Sequence, residues 1–149
     1  MTKPATGIEA IATSCIAGRL RLLNRVVTNL YDDALRPFGV RLSQGNVLAV
    51  TAQLGVARPA QVCEFLEMDA STLSRTVDRM VANGWLEIVP DEDGRSQPFR
   101  LTVAGRRLME RALPAWELAQ AAAKKLLGGD GLRLLDAAIG RVKAAHAGA

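Results

Sequence analysis

This sequence is poor in the residues on which most catalytic and metal sites depend. Its 149 residues include one histidine and two cysteines, and aromatic residues make up 4% of the chain. Because the histidine, His146, lies close to the C-terminus, one chain cannot assemble a Ser-His-Asp triad, a Cys-His pair or a His-rich metal site. The Gly-x-Gly-x-x-Gly and Gly-x-x-x-x-Gly-Lys motifs are also absent. We therefore expect a protein that is not an enzyme and that uses neither a metal nor another cofactor.

The cysteines and the N-terminal charges indicate the cellular compartment of the protein. Cys15 and Cys63 are too few and too far apart to form a disulfide framework or a zinc ribbon. The N-terminal segment has Glu9 inside its apolar part and arginines soon after, so it fits neither a signal peptide nor a membrane span of about 20 apolar residues. The sequence predicts a cytoplasmic protein.

Arginine is the abundant charged residue. The net charge is +4, and 15 of the 19 cationic residues are Arg, the side chain best suited to planar contacts with phosphates and bases. This balance favours a polyanionic partner, although only mildly. The alternative is a bias of genomic composition, because abundant Ala, Arg, Gly and Leu often occur together.

The segment between Asp69 and Gly84 has the clean periodicity of an amphipathic helix. An apolar stripe recurs at i, i+4, i+7 and i+8, Asp69 or Ser71 can cap the N-terminus, and Asn83-Gly84 can end the helix. The opposite face is polar and mostly carries short side chains. The stripe consists of Leu73, Val77, Met80 and Val81, and the opposite face of Ser71, Arg75 and Ala82, flanked by Thr72, Asp78 and Arg79.

A β-hairpin follows this helix. Residues 85–89 and 99–102 change to a roughly alternating pattern, which predicts two strands. The connection, residues 90–98, is rich in turn-forming residues, and Asp93-Gly94 marks the bend. The chain therefore predicts a helix that can enter a DNA groove and a hairpin wing beside it.

The residue types of this unit fit DNA reading. A helix fits the major groove, where Arg75 and Arg79 can read bases or phosphates and where Ser71 and Thr72 can also make contacts. Arg95 at the wing tip is placed for a minor groove. Asp93 would then orient Arg95 rather than touch DNA, because phosphates repel a carboxylate. The alternative is a merely solvated helix face and a merely structural hairpin.

The rest of the chain predicts five further helices. The first runs from Ile8 to Arg36, about 43 Å at 1.5 Å per residue, and Pro37-Phe38-Gly39 ends it. Each terminal helix has an apolar face that must be covered, so we expect a homodimer; the alternative is a monomer whose terminal helices pack together. The remaining helices extend from Ser43 to about Leu54, from Pro59, from the cap Thr102 to Leu127 with a bend at Pro114, and, after the break at residues 128–131, along Leu132, Leu135, Ala138, Ile139 and Val142.

Three segments resemble the MarR-type transcriptional regulators. Asp93-Gly94-Arg95 followed by Leu101-Thr102-Val103-Ala104-Gly105 resembles their wing, which has an Asp-x-Arg turn before Leu-Thr-x-x-Gly. Residues 58–66 resemble the first helix of their helix-turn-helix, and residues 35–44 resemble the junction into the DNA-binding lobe. Two departures are Gly94, where many members have Pro, and Pro98, which interrupts the returning strand.

The resemblance implies the fold and the partners. The fold would be mainly α with a small β-hairpin wing: a single domain over residues 1–149, with a winged helix-turn-helix at about 40–102 and dimerisation helices at about 8–36 and 103–146. The homodimer would bind a pseudo-palindromic site in double-stranded DNA and act as a repressor. Arg58 joins Arg75, Arg79 and Arg95 as an expected phosphate contact. The alternative is a winged-helix module that binds protein, against which Arg75 and Arg95 argue.

The resemblance also implies a sensing function. Family members often release DNA when a small organic effector, frequently an aromatic acid, binds between the lobes. The candidate pocket residues here are Arg19, Tyr31, Phe38 and Trp116, and packing explains each of them equally well.

Other members sense oxidation at a cysteine early in the first helix, which Cys15 matches. However, the peroxide-sensing members pair this cysteine with a tyrosine in hydrogen-bond range, and here Tyr31 lies 16 residues further on, about four helical turns away. Cys15 also falls on the apolar stripe, where a free cysteine is usually a small buried hydrophobe. Cys63 is the weaker redox candidate.

Overall fold

The computed structural model describes residues 6–148, which contain six α-helices, one 3-10 turn and a three-stranded sheet. These residues divide into two units. We call Asp32–Trp116 the winged unit, and the described residues up to Tyr31 together with those from Glu117 onward the terminal unit. The elements in chain order are α1 Ile8–Ser14, α2 Ile16–Leu35, the 3-10 turn Arg36–Phe38, α3 Leu42–Leu54, β1 Val56–Ala57, α4 Pro59–Leu66, α5 Ala70–Ala82, β2 Leu86–Ile88, β3 Phe99–Leu101 and α6 Val103–Ala147.

The unit Asp32–Trp116 is a winged helix-turn-helix, in which α4 and α5 form the helix-turn-helix and β2 and β3 form the wing. The expected stripe of α5 is confirmed, since Leu73, Val77 and Met80 are buried and Val81 packs against the same core. The core also receives side chains from the sheet and from the helices on either side. Its largest fully buried members include Phe99, Leu48, Leu86, Val47 and Val62.

The wing has a third strand that the sequence did not predict. The strand order is β1-β3-β2 and both pairings are antiparallel. In the register, Ala57 lies opposite Phe99 and Glu87 lies opposite Arg100. Because β1 has two residues, it is too short to show any alternation, and only its pairing with β3 defines it as a strand.

The expected continuous first helix is wrong. Cys15 has an extended backbone, with φ −61° and ψ 118°, and separates α1 from α2. The Arg19 guanidinium donates to the carbonyl oxygen of Thr13 at 3.0 Å, and so satisfies an acceptor that an uninterrupted helix would use itself. Periodicity could not reveal this break because the stripe passes across it without a glycine or proline. The 20 residues of α2 extend about 30 Å.

The C-terminal helical segment follows the prediction more closely. Thr102 caps α6, since its Oγ1 accepts a hydrogen bond from the Gly105 amide at 3.0 Å. The expected break is confirmed at Gly128, whose φ of 66° and ψ of 171° are not helical. Pro114 lies inside α6, and a bend there remains a prediction. None of the helices that the structure describes is long and apolar enough to cross a membrane.

Candidate nucleic-acid interface

The start of α5 is held by the carboxylate of Asp69. Its Oδ1 accepts from the Thr72 amide at 2.8 Å and from the Ser71 hydroxyl at 2.6 Å, and its Oδ2 accepts from the Thr72 hydroxyl at 2.6 Å. These hydrogen bonds, with that of Ser71 the largest cause, hold the pKa of Asp69 well below its ordinary value of 3.8. Asp69 is therefore the cap, which settles the choice that the sequence left open between Asp69 and Ser71.

The polar face of α5 is accessible. Ser71, Arg75 and Arg79 are exposed and Thr72 is half-buried. Arg75 Nη2 lies 3.5 Å from Thr72 Oγ1 and donates to it. Because the hydroxyl hydrogens of Ser71 and Thr72 point to Asp69, their oxygens remain as acceptors on this face. The face thus offers two guanidinium donors beside two hydroxyl acceptors, a combination that suits base edges and phosphates.

The wing tip carries Arg95 as expected, but without the expected partner. Arg95 and Asp93 are both exposed, and Gly94 between them has a φ of 61°, which favours glycine. In the free protein, none of the ion pairs within residues 6–148 joins Asp93 to Arg95. The two side chains flank a sharp left-handed turn at Gly94, and an orienting role of Asp93 on DNA stays a prediction.

The carboxylate that holds an arginine at the wing is Asp91. Arg58 Nη1 lies 3.3 Å from Asp91 Oδ2, and Arg58 Nη2 lies 3.4 Å from Asp91 Oδ1. Arg58 Nη1 also donates to Ser96 Oγ at 2.9 Å, and Ser96 Oγ donates to Asp91 Oδ2 at 2.9 Å. The Arg58 guanidinium, followed by the Ser96 hydroxyl, lowers the pKa of Asp91. Sequence reasoning missed Asp91 and Ser96 because Arg58 lies 33 residues before Asp91, and no local pattern connects them.

A second ion pair lies on the body of the wing. Arg100 Nε lies 2.6 Å from Glu87 Oε1, and the two residues are directly opposite in the β2–β3 register. Such a cross-strand pair stabilises a sheet modestly, more so when water does not screen it. Both side chains are about half exposed, so the pair contributes little.

The four residues predicted for an effector pocket are divided between the two units. In the terminal unit, Arg19 donates to Thr13 as described, and Tyr31 is buried and donates through its hydroxyl to Gln120 Oε1. Burial raises the pKa of Tyr31. In the winged unit, Phe38 packs against the core and Trp116 lines a cavity. Of the four predicted residues, Trp116 is the one that lines this cavity of the winged unit.

That cavity has a volume of about 300 Å³. Its lining is mainly apolar: the described lining residues include no charged side chain, and the polar groups of their side chains are the Asn46 amide and the Trp116 indole N–H. Arginine therefore does not contribute to it. Sequence reasoning found Trp116 but missed the other lining residues, which are Leu35, Val40, Leu42, Gly45, Asn46, Ala49, Met109, Ala112 and Leu113.

The two cysteines lie in different surroundings. Cys15, expected on a buried stripe, lies at the break between α1 and α2 and is exposed in the single chain, as are Ile8, Ile11 and Leu22 of the same stripe. Cys63 is half-buried and packs against the core of the winged unit. Among the described residues, no group of three or more His, Cys, Asp or Glu side chains could hold a metal ion.

Sequence comparison connects this chain with one family of regulators. Residues 38–96, which include α3 to α5 and most of the wing, match the sequence model of the MarR family. The chain is 29% identical over 86 residues to YwoH of Bacillus subtilis, an uncharacterized HTH-type transcriptional regulator; the match covers 58% of this chain and 63% of YwoH, less than two thirds of that relative. It is also 29% identical over 96 residues to the multiple antibiotic resistance protein MarR of Escherichia coli, covering 63% of this chain and 67% of MarR.

Solved structures have the same fold. A mutant of Escherichia coli MarR in complex with operator DNA superimposes with a TM-score of 0.80 at 21% identity, over 92% of this chain and 99% of that chain. The Mycobacterium tuberculosis transcriptional regulator MosR in complex with DNA superimposes with a TM-score of 0.76 at 27% identity, over 89% of this chain and 98% of that chain. The mainly helical architecture with a small antiparallel wing is therefore that of these regulators.

Proposed function

We propose that this chain, which belongs to the MarR family of winged helix-turn-helix transcriptional regulators, is a homodimeric repressor that a small organic effector releases from DNA. The family consists of non-enzymatic, dimeric DNA binders. The operator of this chain would be a pseudo-palindromic site in double-stranded DNA. As a DNA-binding regulator, the protein would act in the cytoplasm.

The exposed polar face of α5 is the observation that carries DNA binding. Arg75 and Arg79 are exposed while Leu73, Val77 and Met80 anchor the opposite face in the core. A helix fixed in this way presents its side chains rigidly, which base reading requires. In this proposal Ser71, Thr72, Arg75 and Arg79 enter the major groove, and Arg95 reaches the minor groove.

Exposed apolar side chains of the terminal unit support a homodimer. Large apolar residues on α1, α2 and the later part of α6 are exposed in the single chain, and an apolar surface of this extent is normally covered by a partner. A second copy would supply the same surface and so bury both. The residues concerned are Ile8, Ile11, Ile16, Leu20, Leu22, Val26, Leu118, Leu126, Leu134, Ile139 and Val142.

The cavity beside Trp116 supports release by an effector and indicates its chemistry. A volume of about 300 Å³ lies at the lower end for small-molecule sites. Burying a carboxylate there would leave its charge without a partner, because the lining contains no cation. The proposed effector is therefore a neutral, largely apolar molecule, which replaces the expectation of an aromatic acid.

The test is fluorescence anisotropy with labelled DNA from immediately upstream of the chain's own gene. The parent protein should bind this DNA more tightly than a scrambled duplex, and the logarithm of the binding constant should fall by about 0.9 per neutralised phosphate as the logarithm of salt concentration rises. Arg75→Ala should lose affinity, whereas Arg141→Ala, the same change of charge in the terminal unit, should not. Equal affinity for both duplexes with a flat salt response would instead indicate a protein-binding module.

A further inference from the structure

We propose that Arg58, Asp91 and Ser96 form a clip that fixes the wing to the start of α4, so that Arg58 positions the wing instead of contacting a phosphate. We call these three residues the wing clip. The inference rests on the proposed DNA-binding function for its consequence, but the clip itself is a property of the free protein.

The sheet register brings the members of the clip together. Ala57 of β1 lies opposite Phe99 of β3 in an antiparallel pair. Arg58 directly follows Ala57. Because the pairing is antiparallel, Arg58 leaves the sheet beside the residues that precede Phe99. The Val89 amide donates to the Pro98 carbonyl at 2.7 Å, which closes the base of the wing at the same level. The side chain of Arg58 thus starts next to the returning end of the wing loop, and the outgoing end lies on the far side of β3.

The clip joins the two sides of the wing tip. Asp91 precedes the tip and Ser96 follows it, so that the Ser96 hydroxyl bond to Asp91 Oδ2 at 2.9 Å closes the loop around residues 92–95. Arg58 then binds both: Nη1 contacts Ser96 Oγ and Asp91 Oδ2, and Nη2 contacts Asp91 Oδ1. Arg95 lies within the closed loop. Its position therefore depends on three side chains that it does not itself contact.

Burial separates the roles of the partners. The side chain of Asp91 is 10% exposed and that of Arg58 is 53% exposed. A carboxylate with so little access to water needs its donors from the protein, and Asp91 receives them from Arg58 and Ser96. Both terminal nitrogens of Arg58 are directed to this carboxylate. A phosphate contact would require Arg58 to leave a nearly buried partner unpaired, which is costly.

The clip also bears on the charge of the tip. Residues 90–98 contain Asp91, Glu92 and Asp93 but one arginine, Arg95, so the tip by itself is acidic and would be repelled by DNA. Pairing with Arg58 offsets the charge of Asp91. The arginine of the clip thus reduces repulsion at the wing without occupying the groove.

The change in operator affinity caused by Asp91→Asn distinguishes the clip from a phosphate contact, because the two predict opposite directions. Asp91→Asn removes the charge that holds Arg58. If Arg58 contacts phosphate, this variant frees it and binds operator at least as tightly as the parent. The clip predicts that Asp91→Asn and Arg58→Gln each weaken binding by about two- to tenfold, and that the double variant is no weaker than either single one. Arg58→Lys should behave like Arg58→Gln, because lysine retains the charge but not the two-nitrogen geometry.

Hydrogen exchange of the free protein tests the clip without DNA. The Gly94 amide, which donates to the Asp91 carbonyl at 3.2 Å, should exchange faster in Arg58→Gln and in Asp91→Asn. Glu87→Gln is the matched control, because it removes the charge of the neighbouring pair with Arg100 and leaves the clip intact. Asp93→Asn removes the same charge from the tip outside the clip, and so controls for the reduced repulsion. Unchanged exchange in both clip variants, or operator binding by Asp91→Asn that is as tight as or tighter than binding by Asp93→Asn, would overturn the proposal. A parent protein that shows no operator binding but loses tip protection in these variants would refute the proposed function and retain the clip.

Discussion

A Cβ atom at Gly105 would lie 2.1 Å from the carbonyl oxygen of Trp85. The first turn of α6 packs this closely on the segment between α5 and β2, and hydrogen bonds hold it there. The Thr102 amide donates to the Trp85 carbonyl at 3.1 Å, and the Thr102 hydroxyl donates to the Gly84 carbonyl at 2.6 Å. The Thr and Gly of the Leu-Thr-x-x-Gly motif therefore form one joint between the wing and α6.

Gly105→Ala should destabilise the protein by about 1–3 kcal/mol, because the added methyl group overlaps a backbone atom and the joint must shift. Gly140→Ala is the matched control in the same helix, where a Cβ meets nothing within 4 Å. It should be neutral or stabilise by up to about 1 kcal/mol. Urea denaturation measures both. Equal stability of Gly105→Ala and the parent would show that the joint can open without cost.

Arg75 and Arg95 should differ in what they read. Arg75→Ala should cost about 1–3 kcal/mol of binding free energy and relax the preference for particular base pairs. Arg95→Ala should weaken binding most at operators flanked by A·T tracts, where the minor groove is narrow. Anisotropy titrations with operators altered at the centre or at the flanks separate the two. If folded Arg95→Ala binds every flank like the parent, the wing does not read the minor groove.

A charge in the apolar surface of the terminal unit should disrupt the proposed dimer. Ile139 is 49% exposed in the single chain, and aspartate there would bury an unpaired charge in a homodimer. Ile139→Asp should give monomers or aggregates by light scattering and lose operator binding. Ala137→Asp, two residues away on a different face of the helix, is the control. A dimer that persists in Ile139→Asp would place the interface elsewhere.

The cap at Asp69 should be sensitive to acid. Because the pKa of Asp69 is lowered on folding, the contribution of the cap is fully present above the ordinary value of 3.8 and is lost as the pH falls through the folded-state pKa. Asp69→Ala should therefore melt at a lower temperature than the parent at neutral pH, and the difference should shrink in strong acid. Circular dichroism melts across this range measure it. Asp93→Ala supplies the matched loss of a carboxylate, and should show a smaller difference at neutral pH.

The cavity beside Trp116 should prefer a neutral ligand. Naphthalene should quench the fluorescence of Trp116 and reduce operator binding, whereas 2-naphthoate, which has the same ring system and a charge, should do neither at the same concentration. Ala49→Phe, which fills part of the lining, should abolish the response to naphthalene. A stronger response to 2-naphthoate would show that the effector's carboxylate finds a partner outside this lining.

Local sequence determined the parts of this protein that local interactions form. The stripe of α5, the cap Thr102, the wing strands and the break at Gly128 all depend on residues within a few positions of one another, and each could be predicted. For the cap of α5, the sequence predicted Asp69 or Ser71, and the hydrogen bonds of the structure decided for Asp69. The Leu-Thr-x-x-Gly motif likewise indicated the family, although the reason for its glycine appeared only with the nearby Trp85 carbonyl.

Tertiary structure decided the features that join distant residues. The strand β1 exists because β3 pairs with it, and that pairing places Arg58 against Asp91, 33 positions further on. The apolar lining of the cavity comes from helices that are separate in sequence, which is why aromatic and cationic residues alone were poor guides to it. At the break at Cys15, the Arg19 side chain occupies a backbone acceptor that a continuous helix would use itself. Periodicity records which face of a helix is apolar, but it carries no information about which distant group that face, or the residues beside it, will meet.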